Sequence, residues 1–285
     1  MKGIILAAGK GTRLYPMTLP VSKPLLPVYD KPLIYYAVST LIQGGIKDIL
    51  IIIPPKEEES FRYLLGDGSA LGISISYAQQ IVPRGIADAF IVGADFIGTD
   101  DVCLILGDNI FHTPDFSKRL KEVAKRKSGA TVFGYYVSDP RPFGVVEFDQ
   151  EGKAISIEEK PDEPKSNYVI PGLYFYDNQV IKMAQNLSPS ERGELEITDI
   201  NKAYLEKNQL HVEPLEKDFL WLDAGTADSL LHASIAIHSE QKAAGQLIGC
   251  IEEEAYLQGH ISLTQLHQLG EALAMTTYGQ YLLDK

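Results

Sequence analysis

Cysteine is scarce in this chain, and its scarcity excludes a zinc-finger module and a disulfide-stapled fold. The two cysteines, Cys103 and Cys250, lie far apart and have neither a zinc-ligand spacing nor the even, clustered pattern of a disulfide framework. No apolar run is long enough to cross a membrane. We also expect no signal peptide at the N-terminus, because glycines and Lys10 break its apolar stretch. We therefore expect a protein of the reducing cytoplasm without a membrane partner.

Positive charge is scarce as well. The chain carries 26 Lys and Arg against 38 Asp and Glu, for a net charge of −12. This balance argues against a nucleic-acid partner, so that an anionic substrate must be held by a local cluster of cations. None of the six histidines lies in a Gly-rich turn or a metal-ligand spacing, and no pairing of a nucleophile with a base is evident.

Short apolar runs alternate with helical patterns along the first half of the 285 residues. The pattern predicts strands at 3–6, 48–53, 74–77, 102–106 and 130–136, and helices at 33–44, 57–65, 86–97 and 116–127. This alternation favours an α/β fold with a mostly parallel sheet and helices on both faces. Because ligands sit at the carboxyl ends of the strands in such sheets, we expect the loops after residues 6, 77 and 106 to meet in one cleft.

The second half has a different pattern. Apolar runs at 145–148 and 154–158 flank the turn-forming residues 149–152, which predicts a hairpin. Further strands are predicted at 173–176 and 210–214. From about Ala227 onward the pattern is helical, at 229–241, 251–259 and 262–274.

The loop after the first predicted strand has the composition of a phosphate site. The segment 6–14 reads Leu-Ala-Ala-Gly-Lys-Gly-Thr-Arg-Leu, and Ser22-Lys23 follows. Glycines let backbone amides approach a ligand, and Arg13 and Lys23 supply charge for a polyanion. The segment matches neither the Walker A pattern nor the dinucleotide fingerprint. A simple glycine turn with surface cations is the alternative.

Two aspartates follow apolar runs and are candidate metal ligands. Asp108 comes directly after the run 102–106 and Gly107, and Asp223 precedes Ala224-Gly225. Mg²⁺ usually takes one or two carboxylates together with substrate phosphates. The alternatives are an ordinary turn at Asp108 and a helix N-cap at Asp223.

Three further positions suit recognition of a base and a sugar phosphate. The Gln80 amide presents a donor and an acceptor that match N3–H and O4 of thymine or uracil, and we expect its neighbours and the backbone near 83–85 to hold its orientation. Glu159 can accept hydrogen bonds from sugar hydroxyls, and Lys160 can hold a phosphate. Polar loop residues and solvated charges are the alternatives at all three.

These segments, in this order, resemble the sugar-1-phosphate nucleotidyltransferases. The likeness runs from the N-terminal loop through 30–36, 106–109, 158–161 and 192–201 to the C-terminal 278–283. It implies a Rossmann-like three-layer fold with a mixed, mostly parallel sheet. It also implies a catalytic domain at 1–226, with a nucleotide half at about 1–136 and a sugar half at about 137–226, and a helical assembly or regulatory region at 227–285.

The same resemblance implies a role for each candidate residue. Arg13 and Lys23 would be catalytic and grip the triphosphate, while Asp108 and Asp223 would hold Mg²⁺. The implied nucleotide-binding residues are Leu6, Ala8, Gly9, Gly11, Thr12, Gln80, Pro83 and Gly85. The implied sugar-phosphate residues are Asn109, Gly144, Glu159, Lys160 and Arg192. The chain departs from the usual pattern at Arg84, where an acidic or polar residue is common.

The implied reaction is transfer of a thymidylyl group from dTTP to glucose 1-phosphate by in-line displacement of pyrophosphate, in a homotetramer. Such a reaction needs no protein nucleophile, because a sugar phosphate is already largely dianionic near neutrality. A uridylyltransferase that uses UTP and a non-catalytic nucleotide-sugar sensor on the same fold are the alternatives.

Overall fold

A mixed ten-stranded sheet forms the middle layer of the fold. The computed structural model describes all 285 residues. The strands are β1 (Lys2–Leu6), β2 (Pro27–Val28), β3 (Lys31–Pro32), β4 (Asp48–Ile53), β5 (Ser74–Gln79), β6 (Val102–Leu106), β7 (Asn109–His112), β8 (Ala130–Tyr136), β9 (Gly144–Phe148), β10 (Ala154–Glu159), β11 (Tyr168–Val169), β12 (Leu173–Tyr176), β13 (Leu210–Pro214) and β14 (Leu220–Asp223). The helices are α1 (Ile34–Gln43), α2 (Glu58–Leu65), α3 (Asp88–Val92), α4 (Ala94–Ile97), α5 (Phe116–Ala124), α6 (Gln179–Gln185), α7 (Ile197–Glu206), α8 (Ala227–Ala244), α9 (Ile251–Leu257), α10 (Leu263–Glu271) and α11 (Thr277–Leu283).

The predicted mixed sheet is confirmed, and its parallel part lies at the N-terminus. The order is β10-β9-β11-β8-β12-β6-β1-β4-β5, with β13 beside β8. β1 pairs in parallel with β4 and β6, and β4 pairs in parallel with β5. Beyond β6 the pairing is antiparallel except between β13 and β8. The carboxyl ends of β1, β4, β5 and β6 therefore share one edge of the sheet.

Helices cover both faces, as the alternation of elements predicts. Successive strand residues point to opposite faces, so that Ile4 packs in one core and Ile5 in the other. The Ile5 core includes α1, α5 and the C-terminal α9 to α11, whereas the Ile4 core includes α3, α6 and α7. Because these central strands are buried on both faces, their sequences are continuously apolar rather than alternating.

The predicted helix at 86–97 is wrong in one respect, because Gly93 divides it into α3 and α4. A Cβ on Gly93 would lie 2.9 Å from the Ile4 side chain, so glycine allows the helical layer to approach the sheet closely there. The helices α6, α7 and α11 are absent from the predicted set. None of the eleven helices combines the length and the apolarity that a membrane span requires.

Candidate functional site

A cleft of about 350 Å³ opens at the carboxyl edge of the parallel strands. Arg13 reaches it from the loop after β1, Ile86 from the loop after β5, and Asp108 from the loop after β6. The predicted convergence of these three loops is therefore confirmed. The other predicted site residues that line the cleft are Asn109, Gly144, Glu159, Lys160 and Asp223.

The loop after β1 begins with buried residues and ends in exposed ones. Ala7 and Ala8 are buried, whereas Gly9 and Thr12 are exposed. Gly11 has a φ of +61°, and a Cβ there would lie 3.1 Å from the Thr18 side chain, which explains the requirement for glycine. The turn continues into a 3₁₀ segment, Thr12–Leu14, that exposes Arg13. The backbone N–H groups of Gly9 and Gly11 donate no hydrogen bond within the chain. Unpaired N–H groups and an exposed guanidinium at the end of a strand are the elements of an anion site.

Lys23 is buried, and its charge is paired with a carboxylate of the cleft. The Nζ atom lies 2.5 Å from Oδ2 of Asp108. The other Asp108 oxygen, Oδ1, accepts a hydrogen bond from Asn109 Nδ2 at 2.9 Å. Burial of a lone ammonium is costly, so this pair keeps a cation inside the protein beside the phosphate loop.

Asp223 is brought against Asp108 by a two-stranded antiparallel ribbon of β7 and β14. Asp223 pairs with Asn109 in this ribbon, and Ala224 N donates to Asp108 O at 3.2 Å. The alternative assignment of Asp223 as a helix cap is wrong, because the side chain of Thr226 caps α8.

The Asp223 carboxylate has no hydrogen-bond donor within the chain, and Lys23 and Arg13 act on it only through their charge. Burial and the neighbouring Asp108 carboxylate raise the pKa of Asp223 to about 6, against a smaller opposing effect of Lys23 and Arg13. This half-buried carboxylate lies beside another carboxylate and has no hydrogen-bond donor. Its negative charge is therefore not compensated within the protein.

This donor set fits a divalent cation that shares its coordination with substrate. The two carboxylates are hard oxygen ligands, and Asp223 has free lone pairs. No cluster of three or more His, Cys, Asp or Glu side chains is available to hold a metal ion. A Mg²⁺ ion at this place would therefore need phosphate or water oxygens to complete its shell.

The opposite wall of the cleft carries a hydrogen-bonded glutamate. Oε2 of Glu159 accepts from Thr198 Oγ1 at 2.5 Å, and Oε1 lies 3.7 Å from Lys160 Nζ. Gly144 faces this pair, since a Cβ on it would lie 3.2 Å from Thr198 Oγ1. The glutamate therefore presents fixed acceptors, with a cation next to them, to the space inside the cleft.

Arg192 lies behind this wall rather than in the cleft lining. Its Nη2 contacts both carboxylate oxygens of Glu196, at 2.8 and 2.9 Å, and Glu159 Oε1 at 3.3 Å. The guanidinium is thus engaged by carboxylates and holds Glu159 from the rear.

Asn109 and several aromatic residues complete the lining. Asn109 is buried, and its Oδ1 accepts from Trp221 Nε1 at 2.7 Å and from Gly172 N at 3.3 Å. Sequence reasoning did not assign Trp221, Tyr174 or Thr198, which also line the cleft. The only signal for Trp221 was its position two residues before Asp223 in an apolar run.

The loop after β5, residues 80–87, is called the base loop here. It lies at the same edge of the sheet as the phosphate loop after β1, and β5 is two strands away from β1. Gln80 follows β5 and is only 5% exposed, while Pro83 is exposed. With strands about 5 Å apart, β5 lies about 10 Å from β1. Gly85 has a φ of +105°, and a Cβ there would lie 2.5 Å from Leu195 O. The loop is therefore closely packed against the segment that carries Arg192 and Glu196.

Comparison with known proteins agrees with this arrangement. Residues 2–240 match the nucleotidyl transferase family. The chain is 54% identical over 283 residues to a glucose-1-phosphate thymidylyltransferase of Neisseria meningitidis, which covers 99% of this chain and 98% of that protein. It is 51% identical over 284 residues to a glucose-1-phosphate thymidylyltransferase of Mycobacterium tuberculosis, with 100% and 98% covered.

Solved structures share the fold. The crystal structure of a candidate glucose-1-phosphate thymidylyltransferase from Bacillus anthracis, in complex with sucrose, has a TM-score of 0.77 and 45% identity, and covers 83% of this chain and 94% of that one. A UDP-glucose pyrophosphorylase complexed with UDP-glucose has a TM-score of 0.74 at 22% identity, with 84% and 98% covered, and shows the fold alone. On the match over residues 2–240 and the identity of about half its residues with full-length relatives, this chain belongs to the nucleotidyl transferase family.

Proposed function

We propose that this protein transfers a thymidylyl group from dTTP to glucose 1-phosphate, giving dTDP-glucose and pyrophosphate. The observation that carries the proposal is that Arg13 of the Gly-rich loop, Asp108 and the partnerless Asp223 carboxylate line one cleft. Lys23 lies outside the lining and is paired with Asp108. The names of relatives at 54% and 51% identity support the same substrates.

The phosphate end of the site would be held by the loop after β1. Backbone amides of Gly9 and Gly11, together with Arg13, would bind the triphosphate, and Lys23 would stabilise the pyrophosphate as it leaves. Asp108 and Asp223 would hold Mg²⁺. When bound, Mg²⁺ would offset phosphate charge and align the reacting groups.

The sugar end would be formed by Gly144, Glu159 and Lys160. The glutamate would accept hydrogen bonds from hexose hydroxyls, and Lys160 would pair with the phosphate of glucose 1-phosphate. An oxygen of that phosphate attacks the α-phosphorus of the nucleotide, the α–β bridging bond breaks, and pyrophosphate departs with its electron pair. Because the attacking phosphate is already ionised, positioning replaces nucleophilic catalysis by the protein.

Uridylyl transfer from UTP is the second candidate, because the amide of Gln80 meets a base edge that uracil and thymine share. One methyl group distinguishes the two bases, and its burial is worth about 1 kcal/mol. We expect a preference for dTTP over UTP of about fivefold on that basis, and poor use of CTP and ATP.

A pyrophosphate-release assay with glucose 1-phosphate and each of the four nucleotides tests the proposal. Release with dTTP that depends on both the sugar phosphate and Mg²⁺ supports it. Higher kcat/KM with UTP would favour the second candidate. Absence of release with every nucleotide, despite nucleotide binding, would indicate a sensor and contradict both enzymatic proposals.

We also propose a division of the chain into a catalytic domain at 1–226, with its nucleotide half at about 1–136 and its sugar half at about 137–226, and a helical region at 227–285 that serves assembly. Leu231 and Ile235 support this, since they lie one turn apart on α8 and are 58% and 54% exposed. Large apolar side chains that adjoin on one helix face suit contact with a second copy of the chain. Analytical ultracentrifugation should give a tetramer mass, and Ile235→Asp should lower it. A wild-type monomer at micromolar concentration would contradict the assembly role.

A further inference from the structure

A buried carboxylate, Asp88, lies between the base-loop residues Gln80 and Arg84. Asp88 is 1% exposed. Its Oδ2 accepts a hydrogen bond from Gln80 Nε2 at 2.7 Å, and its Oδ1 lies 2.6 Å from Nη2 of Arg84. Ile86 of this loop lines the cleft, whereas Gln80, Arg84 and Asp88 do not. Asp88 and Arg84 can therefore act on a bound base only through Gln80.

This contact fixes which way the Gln80 amide faces. An ionised carboxylate only accepts hydrogen bonds, so the amide must turn its NH₂ group toward Asp88. If the amide flipped, Oε1 would lie against a carboxylate oxygen inside the protein, and two acceptors would face each other without a proton. In the observed orientation Oε1 accepts no hydrogen bond from the chain, and it is not among the buried polar atoms that lack a partner. One acceptor and one remaining N–H are therefore free for a ligand.

Resting on the function proposed above, we propose that Asp88 is the residue that makes the site selective for a pyrimidine with N3–H and O4. The fixed amide offers an acceptor to N3–H and a donor to O4. Cytosine presents an acceptor at N3 and a donor at its 4-amino group, and it would need the flipped amide that Asp88 forbids. Asp88 is a positioning residue, because it orients Gln80 without contacting the base.

Arg84 completes this arrangement from the solvent side. Its side chain is 53% exposed, while its backbone carbonyl accepts from Leu195 N at 2.6 Å. The backbone is therefore anchored to the neighbouring segment, and the guanidinium lies over the outer oxygen of Asp88. The positive charge of Arg84 therefore has a local partner in the carboxylate of Asp88, four residues later in the chain.

Asp88→Asn tests the inference with little change of shape. An asparagine can turn its own amide to match either orientation of Gln80, so the flipped state becomes accessible. We expect the ratio of kcat/KM for dTTP to that for CTP to fall about tenfold or more, mainly because CTP improves. Asp95→Asn is the matched control, since it removes an exposed aspartate from α4 and should leave the ratio unchanged.

The outcomes separate this inference from the function on which it rests. If the wild type releases pyrophosphate with dTTP but Asp88→Asn lowers kcat/KM equally for dTTP and CTP, Asp88 has a structural role only and the inference is overturned. If Asp88→Asn does not fold, Asp88→Ser decides, because it removes the acceptor-only carboxylate and leaves a hydroxyl that can donate as well as accept. A dTTP to CTP ratio that is unchanged in Asp88→Ser then overturns the inference. If the wild type uses no nucleotide, the proposed function fails first.

Discussion

Replacement of Asp223 by asparagine should stabilise the protein while it abolishes activity. The Asp223 carboxylate has no donor in the chain, and burial together with Asp108 raises its pKa from 3.8 to about 6. Because each pKa unit is worth about 1.4 kcal/mol, the ionised form costs the folded state about 3 kcal/mol at pH 7. A neutral amide of the same shape avoids that cost.

The sign of this effect gives it a distinctive pH dependence. The folded-state pKa lies above the unfolded-state value, so folding takes up a proton between the two and the ionised carboxylate destabilises the fold as pH rises from 3.8 to about 6. The advantage of the variant should therefore be about 3 kcal/mol at pH 7, about half that at pH 5, about 0.5 kcal/mol at pH 4 and absent below about pH 3.

Urea unfolding in EDTA at pH 7 and pH 5 measures the gain, with Asp162→Asn as a control for loss of one exposed charge. Turnover of Asp223→Asn at saturating Mg²⁺ should fall by orders of magnitude. A variant that is less stable than the wild type at pH 7, or whose advantage is the same at both pH values, would refute the electrostatic reasoning. Near-normal turnover would remove Asp223 from the metal site.

Three other substitutions test separate parts of the structure. Arg13→Ala should lower kcat about tenfold or more with a smaller rise in KM for the nucleotide, and steady-state kinetics with unchanged kcat would reduce Arg13 to a binding role. Gln241→Ala removes two hydrogen bonds that tie α8 to residues 30 and 31 and a third to Ile248, and should lower the free energy of unfolding in urea by about 3 kcal/mol; a loss under 1 kcal/mol would contradict that role. Gly85→Ala should lower both stability and nucleotide binding, because its Cβ would overlap Leu195 O. Gly152 also has a positive φ but has open space around it, so Gly152→Ala should cost only about 1–2 kcal/mol of stability and retain binding. Equal effects of the two glycine variants in calorimetric binding and unfolding would show that close packing is not the reason for Gly85.

The parallel part of the fold was predictable because its signal is local. The strands β4 and β6 have the predicted bounds, since a strand that is buried on both faces is a continuous apolar run. Once those strands are placed in parallel, the positions of the phosphate loop and Asp108 follow from the shared carboxyl edge. The helical pattern was predicted to begin at about Ala227, which is where α8 begins, although the helix itself was predicted only over 229–241 and its cap, Thr226, was not identified.

Features that depend on contacts between distant segments were not predictable in this way. The ribbon that brings Asp223 to Asp108 pairs two strands of four residues, too short for a periodic signal. Thr198 and α7 reach the cleft only through tertiary packing. The sequence prediction also assigned control of the Gln80 amide to its neighbours and to the backbone near 83–85, whereas in the structure the side chain of Asp88, the first residue of α3, makes that contact.

The central claim is a direct attack of the sugar phosphate on the nucleotide, and the stereochemistry at phosphorus tests it most directly. One diastereomer of dTTP with sulfur on the α-phosphorus, turned over with glucose 1-phosphate, should give a single product diastereomer with inverted configuration by ³¹P NMR, because one in-line displacement inverts phosphorus. Retention of configuration would reveal a second displacement by a protein nucleophile, and failure to form any dTDP-glucose analogue from a substrate pair that binds would contradict the proposed reaction itself.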